Sequence, residues 1–139
     1  AKDYPLIEQL RQGIGDSGPL LDARTKALEC YSAISGCEVF LGEKLHACAM
    51  AAVAGVPFVA LEYQPKVKDF ADSLAMSDWV LSTGERDPQK LVHLLEHLRA
   101  ERPAVRYRLI EMREMLRSRF LHMVQEVKQC LCGTRLQEP

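Results

Sequence analysis

Three short apolar runs constrain this chain more than anything else in it: Val39-Phe40-Leu41, Pro57-Phe58-Val59-Ala60-Leu61 and Trp79-Val80-Leu81. None of them alternates apolar with polar residues. Each therefore reads as a strand covered on both faces, not one that lies half in water. Helical periodicity fills the intervals, over residues 23–34, 46–54, 67–74 and 88–99. Strand, helix, strand in that order requires parallel pairing through right-handed crossovers, with helices against both sides of the sheet. The sequence thus predicts an α/β fold, a Rossmann-like parallel sheet with flanking helices.

Local punctuation agrees. Gly55 and Pro57 end the helix over 46–54, and Pro57 takes the first strand position, where a missing N–H does least harm. The apolar run over residues 45–61 contains His46 and is broken by Gly55 and Pro57. It falls short of the roughly 20 residues a membrane span needs, so no span is expected. Upstream, Leu6, Ile7 and Leu10 suggest a helix over 4–11, residues 13–19 break the chain, and Leu20-Leu21 fits a short strand.

After Pro103 a single long helix is expected to about Leu131. Val105, Leu109, Met112, Leu116, Phe120, Met123, Val127 and Leu131 step by four and three along it, giving one apolar stripe. At roughly 40 Å this helix exceeds what the domain needs. Residues 1–102 therefore read as the α/β domain. Residues 103–139 read as a helix and tail that pack on that domain, on an absent N-terminal domain, or on a second copy in a homodimer. The chain opens on Ala-Lys-Asp, without an initiator methionine or a signal-like segment, as expected of a piece of a longer protein.

Composition narrows the setting. A formal net charge of −1 gives no reason to expect nucleic acid or an anionic membrane as a partner. The five cysteines, odd in number and without CxxC spacing, read as reduced, buried thiols, which suggests the cytoplasm.

Three motifs invite chemistry and have plainer readings. Gly13-x-Gly15-x-x-Gly18 has the letters of a dinucleotide fingerprint, but a helix precedes it and Gly-Pro follows, so it reads as a turn. His93-Leu94-Leu95-Glu96-His97 matches H-x-x-E-H. Yet Leu91, Leu94, Leu95 and Leu98 form the apolar stripe of that helix. His93, Glu96 and His97 then fall on its wet face, and no metal site or cofactor is expected. Arg106, Arg108, Arg113, Arg117 and Arg119 on the last helix read as a solvated face or an interface rim.

The segment Gly42-Glu43-Lys44-Leu45-His46 is different. A strand ending at Leu41, a glycine and a helix opening near Leu45 put Lys44 and His46 at the carboxyl edge of a parallel sheet. They also lie at the positive end of a helix dipole, where such folds bind ligands and free amides favour anions. Lysine adds charge, and histidine adds a donor or a proton near neutral pH. The strand over 57–61 leads through Glu62 to Tyr63 and Lys66, which reach the same edge. From the residues alone two readings stand side by side: a ligand site, or a surface lysine beside a histidine that caps its helix.

The stretch from Cys37 to Trp79 resembles the C-terminal signature of the polysaccharide pyruvyl transferase family. The resemblance rests on Gly42, on Leu45-His46-Ala47 before a small-residue helix, on Gly55-Val56-Pro57, and on Tyr63 with Lys66-Val67. The family's arginine before Leu-His-Ala is Lys44 here. The resemblance implies the C-terminal half of a B-type glycosyltransferase fold. It implies a phosphorylated donor, phosphoenolpyruvate, and a saccharide acceptor that receives pyruvate as a ketal in a polysaccharide precursor. It further implies His46 as the catalytic residue, with Gly42, Lys44, Tyr63 and Lys66 binding the donor. A nucleotide-sugar glycosyltransferase, with Glu62 available for a ribose, and a non-catalytic domain that dimerises through its last helix are the alternatives.

Overall fold

The computed structural model describes residues 25–84 and 87–134. The helix, turn and strand expected over residues 4–21 lie outside them. Among the described residues the chain runs α1 (Ala27–Ser35), β1 (Phe40–Gly42), α2 (Leu45–Ala54), β2 (Phe58–Glu62) and α3 (Pro65–Ser73). A 3-10 turn (Ser77–Trp79), β3 (Val80–Ser82), α4 (Pro88–Ala100) and α5 (Arg102–Thr134) follow. The three strands form one parallel sheet in the order β1-β2-β3. The α/β architecture and the long last helix are as expected.

Helices cover both faces of the central strand. Phe58 stacks on Phe70 of α3 at 6.3 Å between ring centroids, which fixes its face as the one under α2 and α3. Val59 and Leu61 point the other way, and Leu61 and Leu81 meet Leu91 of α4 across one cavity. Phe58, Val59 and Ala60 are buried, as a strand covered twice must be. The outer strand departs from this: Leu41 shares the face of Val59 but is 40 % exposed, because α4 does not extend over β1.

Trp79 differs from the sequence expectation too. It belongs to the 3-10 turn before β3, is buried there, and packs its ring 5.1 Å from His97. His97 is thus exposed yet backed by an aromatic ring, while His93 and Glu96 face solvent as expected. The thiols also differ. Cys48 is buried, but Cys37, Cys130 and Cys132 are exposed, and Cys30 is half-buried.

Helices α2 and α3 end in the same capping geometry on different residues. After α2 the Val56 amide bonds the Ala51 carbonyl and the Gly55 amide bonds that of Ala52. After α3 the Met76 amide bonds the Ala71 carbonyl and the Ala75 amide that of Asp72. This double bond pattern needs a left-handed residue. Gly55 supplies it at φ 69° without cost, whereas Ala75 is held at φ 55° against its own Cβ.

Helix α5 docks where those helices end. Arg106 donates to the Gly55 carbonyl at 3.4 Å, Arg108 to that of Ala75 at 3.0 Å, and Arg113 to that of Val53 at 3.0 Å. Three of the five arginines read as a solvated face or rim therefore clamp carbonyls at the negative ends of α2 and α3. Arg117 and Arg119 remain exposed.

The two caps predict opposite responses to opposite substitutions. Ala75→Gly should raise stability by about 0.5–1 kcal/mol. Gly55→Ala should lower it by about 1–2 kcal/mol, since a Cβ there also stands 3.2 Å from Ile110 Cγ1. Urea denaturation of the two variants measures both, and equal signs would refute the assignment.

Candidate functional site

The carboxyl ends of the strands lie side by side, and the chain leaves each one into the first turn of a helix. Lys44, Gln64 and Asp87 are the N-cap positions of α2, α3 and α4. Only Asp87 caps with its side chain, accepting from the Gln89 amide at 2.9 Å. Lys44 and Gln64 form no side-chain cap. In a helix the first amides have no carbonyl one turn back to bond, so the Leu45 and His46 N–H groups open toward this edge. His46 is the second residue of α2, not its cap.

Register explains the one contact made among the predicted residues. Gly42 pairs with Ala60, so β1 stops two residues before β2 does. The chain bends at Glu43 and Lys44 while β2 continues through Leu61 and Glu62, and Lys44 reaches Tyr63, the residue after β2. Its Nζ lies 4.8 Å from the centre of the Tyr63 ring, a cation–π contact. The same Nζ is 3.8 Å from Glu43 Oε1. Tyr63 is half-buried, while Lys44, His46 and Lys66 are exposed. Among the described residues, neither the His46 nor the Lys66 side chain forms a hydrogen bond or ion pair. Lys66 sits in the first turn of α3, behind Pro65.

Lys44 and Tyr63 are thus joined, and His46 and Lys66 share their edge without touching them. The arrangement is an open shelf. The cavities between Asp78 and His97, between Ala49 and Leu116, between Leu61 and Leu91 and between Pro88 and Glu96 are not lined by Gly42, Lys44, His46, Tyr63 or Lys66. The cavity of about 340 Å³ between Leu61, Leu81, Ser82, Thr83, Asp87 and Leu91 does lie at the same edge. Thr83 secures its wall, donating its amide and its hydroxyl to the Glu62 carbonyl, each at 3.0 Å. The sequence reading did not single out these residues. The signal available was Asp87-Pro88, a capping residue and a helix-opening proline after a third strand.

No group of three or more His, Cys, Asp or Glu side chains among the described residues is placed to hold a metal ion. No helix among them is long and apolar enough to cross a membrane.

What holds the shelf in place is the pair Gly42 and Cys48. A Cβ on Gly42 would lie 2.6 Å from Cys48 Sγ and 2.7 Å from Phe40 Cε1, so only glycine lets α2 come this close. Cys48 is fully buried, and that burial pushes its thiol up to about 11.

Fold and edge together define an α/β domain with a cationic, helix-flanked shelf at the carboxyl end of a parallel sheet. Residues 15–65 of this chain match the family described as polysaccharide pyruvyl transferase, a segment that takes in α1, β1, α2 and β2 and closes on the first residue of α3. No curated protein and no solved structure matches the chain.

Gly42→Ala should destabilise the fold by about 1–3 kcal/mol through overpacking, and Cys48→Ala in the same chain should recover part of that loss. Denaturant midpoints of the two single variants and the double variant test the coupling, and simple additivity would count against it. The buried thiol also predicts a pH dependence. The folded state holds the Cys48 proton more tightly than the unfolded chain, whose thiol titrates near 9.0. Its contribution to stability is therefore intact below about pH 9 and lost as the pH rises toward about 11. A Cys48→Ala variant should lose less stability over that window than the parent chain.

Proposed function

We propose that this domain is the donor-binding part of a polysaccharide pyruvyl transferase, holding phosphoenolpyruvate on the shelf above Gly42. The observation that carries this reading is a coincidence of two independent facts. The family match covers Gly42 through Tyr63, and those same residues build the cationic edge where Lys44 meets Tyr63. The reading places the enzyme in the cytoplasm, working on a saccharide precursor of a cell-surface polymer.

The chemistry follows from the donor. Protonation of the phosphoenolpyruvate methylene makes a methyl group and leaves C2 cationic. Two acceptor hydroxyls add to C2 while its bond to the phosphate oxygen breaks. Of the two hydroxyl protons, one balances the proton taken up by the methyl carbon and the other leaves with phosphate. Lys44, Lys66 and the amides of Leu45 and His46 would attract the donor's carboxylate and phosphate, and more strongly as charge gathers on the departing phosphate. His46 would hydrogen-bond the phosphate or move a proton at it. Where the family has arginine, Lys44 offers a point charge in place of a bidentate fork, so donor orientation depends more on the helix amides.

Titration with phosphoenolpyruvate, followed by backbone amide NMR, tests this directly. The resonances of residues 42–46 and 63–66 should shift. Lys44→Ala should weaken binding about tenfold or more, and Lys44→Arg should retain it. His46→Ala should abolish pyruvyl transfer and leave the amide spectrum of the core unchanged. Tighter binding of a UDP-sugar at the same residues would move the domain to the nucleotide-sugar transferases. Binding of neither ligand would remove the enzymatic reading.

A further inference from the structure

The apolar stripe of α5 does not stop where the domain stops. Val105 and Leu109 are buried in the core and Met112 packs against it. The next residues of the stripe lie about half in solvent or more: Leu116 is 44 % exposed, Phe120 59 %, Met123 51 %, Val127 51 % and Leu131 66 %. The spacing repeats as four, three, four over the whole length, which is an eleven-residue period. At about 3.67 residues per turn this period nearly equals that of an undistorted helix. The seam therefore keeps one line from core to solvent, and among the described residues nothing covers its outer half.

We propose that a second copy of this chain covers it, with the two α5 helices antiparallel about Met123. The stripe is self-complementary under that rotation. Met123 faces its own counterpart, Phe120 faces the partner's Val127, and Leu116 faces the partner's Leu131. Phe120 thereby meets the smaller Val127, and the other two layers pair side chains of equal size. A cavity of about 190 Å³, lined by Ala52, Val53, Phe70, Leu74, Leu109 and Leu116, opens where the stripe leaves the domain. It receives the partner's Leu131, the most exposed residue of the stripe. Each helix end is thus seated on the other chain's domain.

Charges at the borders of the stripe specify the test. Arg119 and Glu126 lie on one border, seven residues apart, so each Arg119 meets the partner's Glu126. Within its own helix Glu126 stands 3.9 Å from His122. Arg117 and Lys128 lie on the other border, where the same rotation brings like charges together. A basic border of this kind also suits an anionic lipid surface or an acidic protein, and one substitution separates these from a dimer. Lys128→Glu converts two repulsions into two attractions and should tighten a dimer about five- to tenfold. It should weaken attachment to anything acidic.

Sedimentation equilibrium of the full chain is expected to give a monomer–dimer equilibrium, tighter for Lys128→Glu and looser for Glu126→Lys. Phe120→Asp should give a folded monomer whose thermal midpoint no longer depends on protein concentration, because Phe120 lies beyond the domain core. With Cys37, Cys130 and Cys132 replaced by serine, Met123→Cys should cross-link to itself under oxidation. Leu131→Cys should not, since its two copies would lie about 24 Å apart. A monomer at all concentrations, cross-linking through Leu131→Cys, weaker association of Lys128→Glu, or binding to vesicles of phosphatidylserine would each overturn the proposal. Donor binding at the shelf is unaffected by any of these variants, so the two readings fail separately.

Discussion

Helix α2 lies closer to the sheet than a helix with ordinary side chains could, and much of its surroundings follows from that approach. Cys48 and Ala51 have no exposed surface, and Gly42 beneath them has no room even for a methyl group. A helix that after Leu45 and His46 consists of Ala, Cys, Met and Val gains little from an amphipathic pattern, since it is apolar nearly all round. Its fit comes instead from small volumes on both sides of the contact. This fit fixes the short link from Gly42 to Leu45, and with it the position of Lys44 over Tyr63. A bulkier pair would push the helix outward and carry the shelf with it.

The two edges of the sheet present opposite ends of the same helices. At the amino edge α2 and α3 end in carbonyls, the negative poles of their dipoles. There Arg106, Arg108 and Arg113 of α5 supply the matching positive charge. At the carboxyl edge the same helices begin, and their first amides point outward with Lys44 and Lys66 beside them. By the reasoning that puts arginines at one edge, an anion is the complement of the other. The chain provides Glu43 near Lys44, an exposed carboxylate on a flexible neighbour. Such a contact is worth little in water and is easily displaced by a ligand with two charges.

Strands and helices were legible because the apolar runs change period cleanly, from unbroken stretches of three to five residues to helical spacing. Element ends differ from expectation by up to four residues, since caps such as Lys44 and Gln64 carry no side-chain signature. The shelf residues were placed at the correct edge by topology alone, which follows from strand direction and needs no side-chain detail. Three features were hidden. The arginine clamps join residues 33 to 60 apart in sequence, and no local pattern encodes such a pairing. Trp79 looked like a strand residue because aromatic residues favour strands, but burial against α4 drew it into a turn. Exposure of Cys37, Cys130 and Cys132 was missed because an apolar neighbour in sequence does not guarantee cover in space.

The last of these bears on how α5 should be understood. Its pattern has no break at Met112, where the domain ends, so sequence periodicity treats cover by the core and cover by another chain as one continuous requirement. The helix is anchored at its start by three arginine clamps, and its seam has nearly the period of an undistorted helix. It is thus an arm fixed to the amino edge. An antiparallel pair centred on Met123 sets the two Leu109 anchor points about 40 Å apart. Because each arm is attached at the edge opposite the shelf, pairing joins the domains without covering Lys44 or His46. Association and ligand binding are then separate demands on one small domain, met by the two ends of the same helix dipoles.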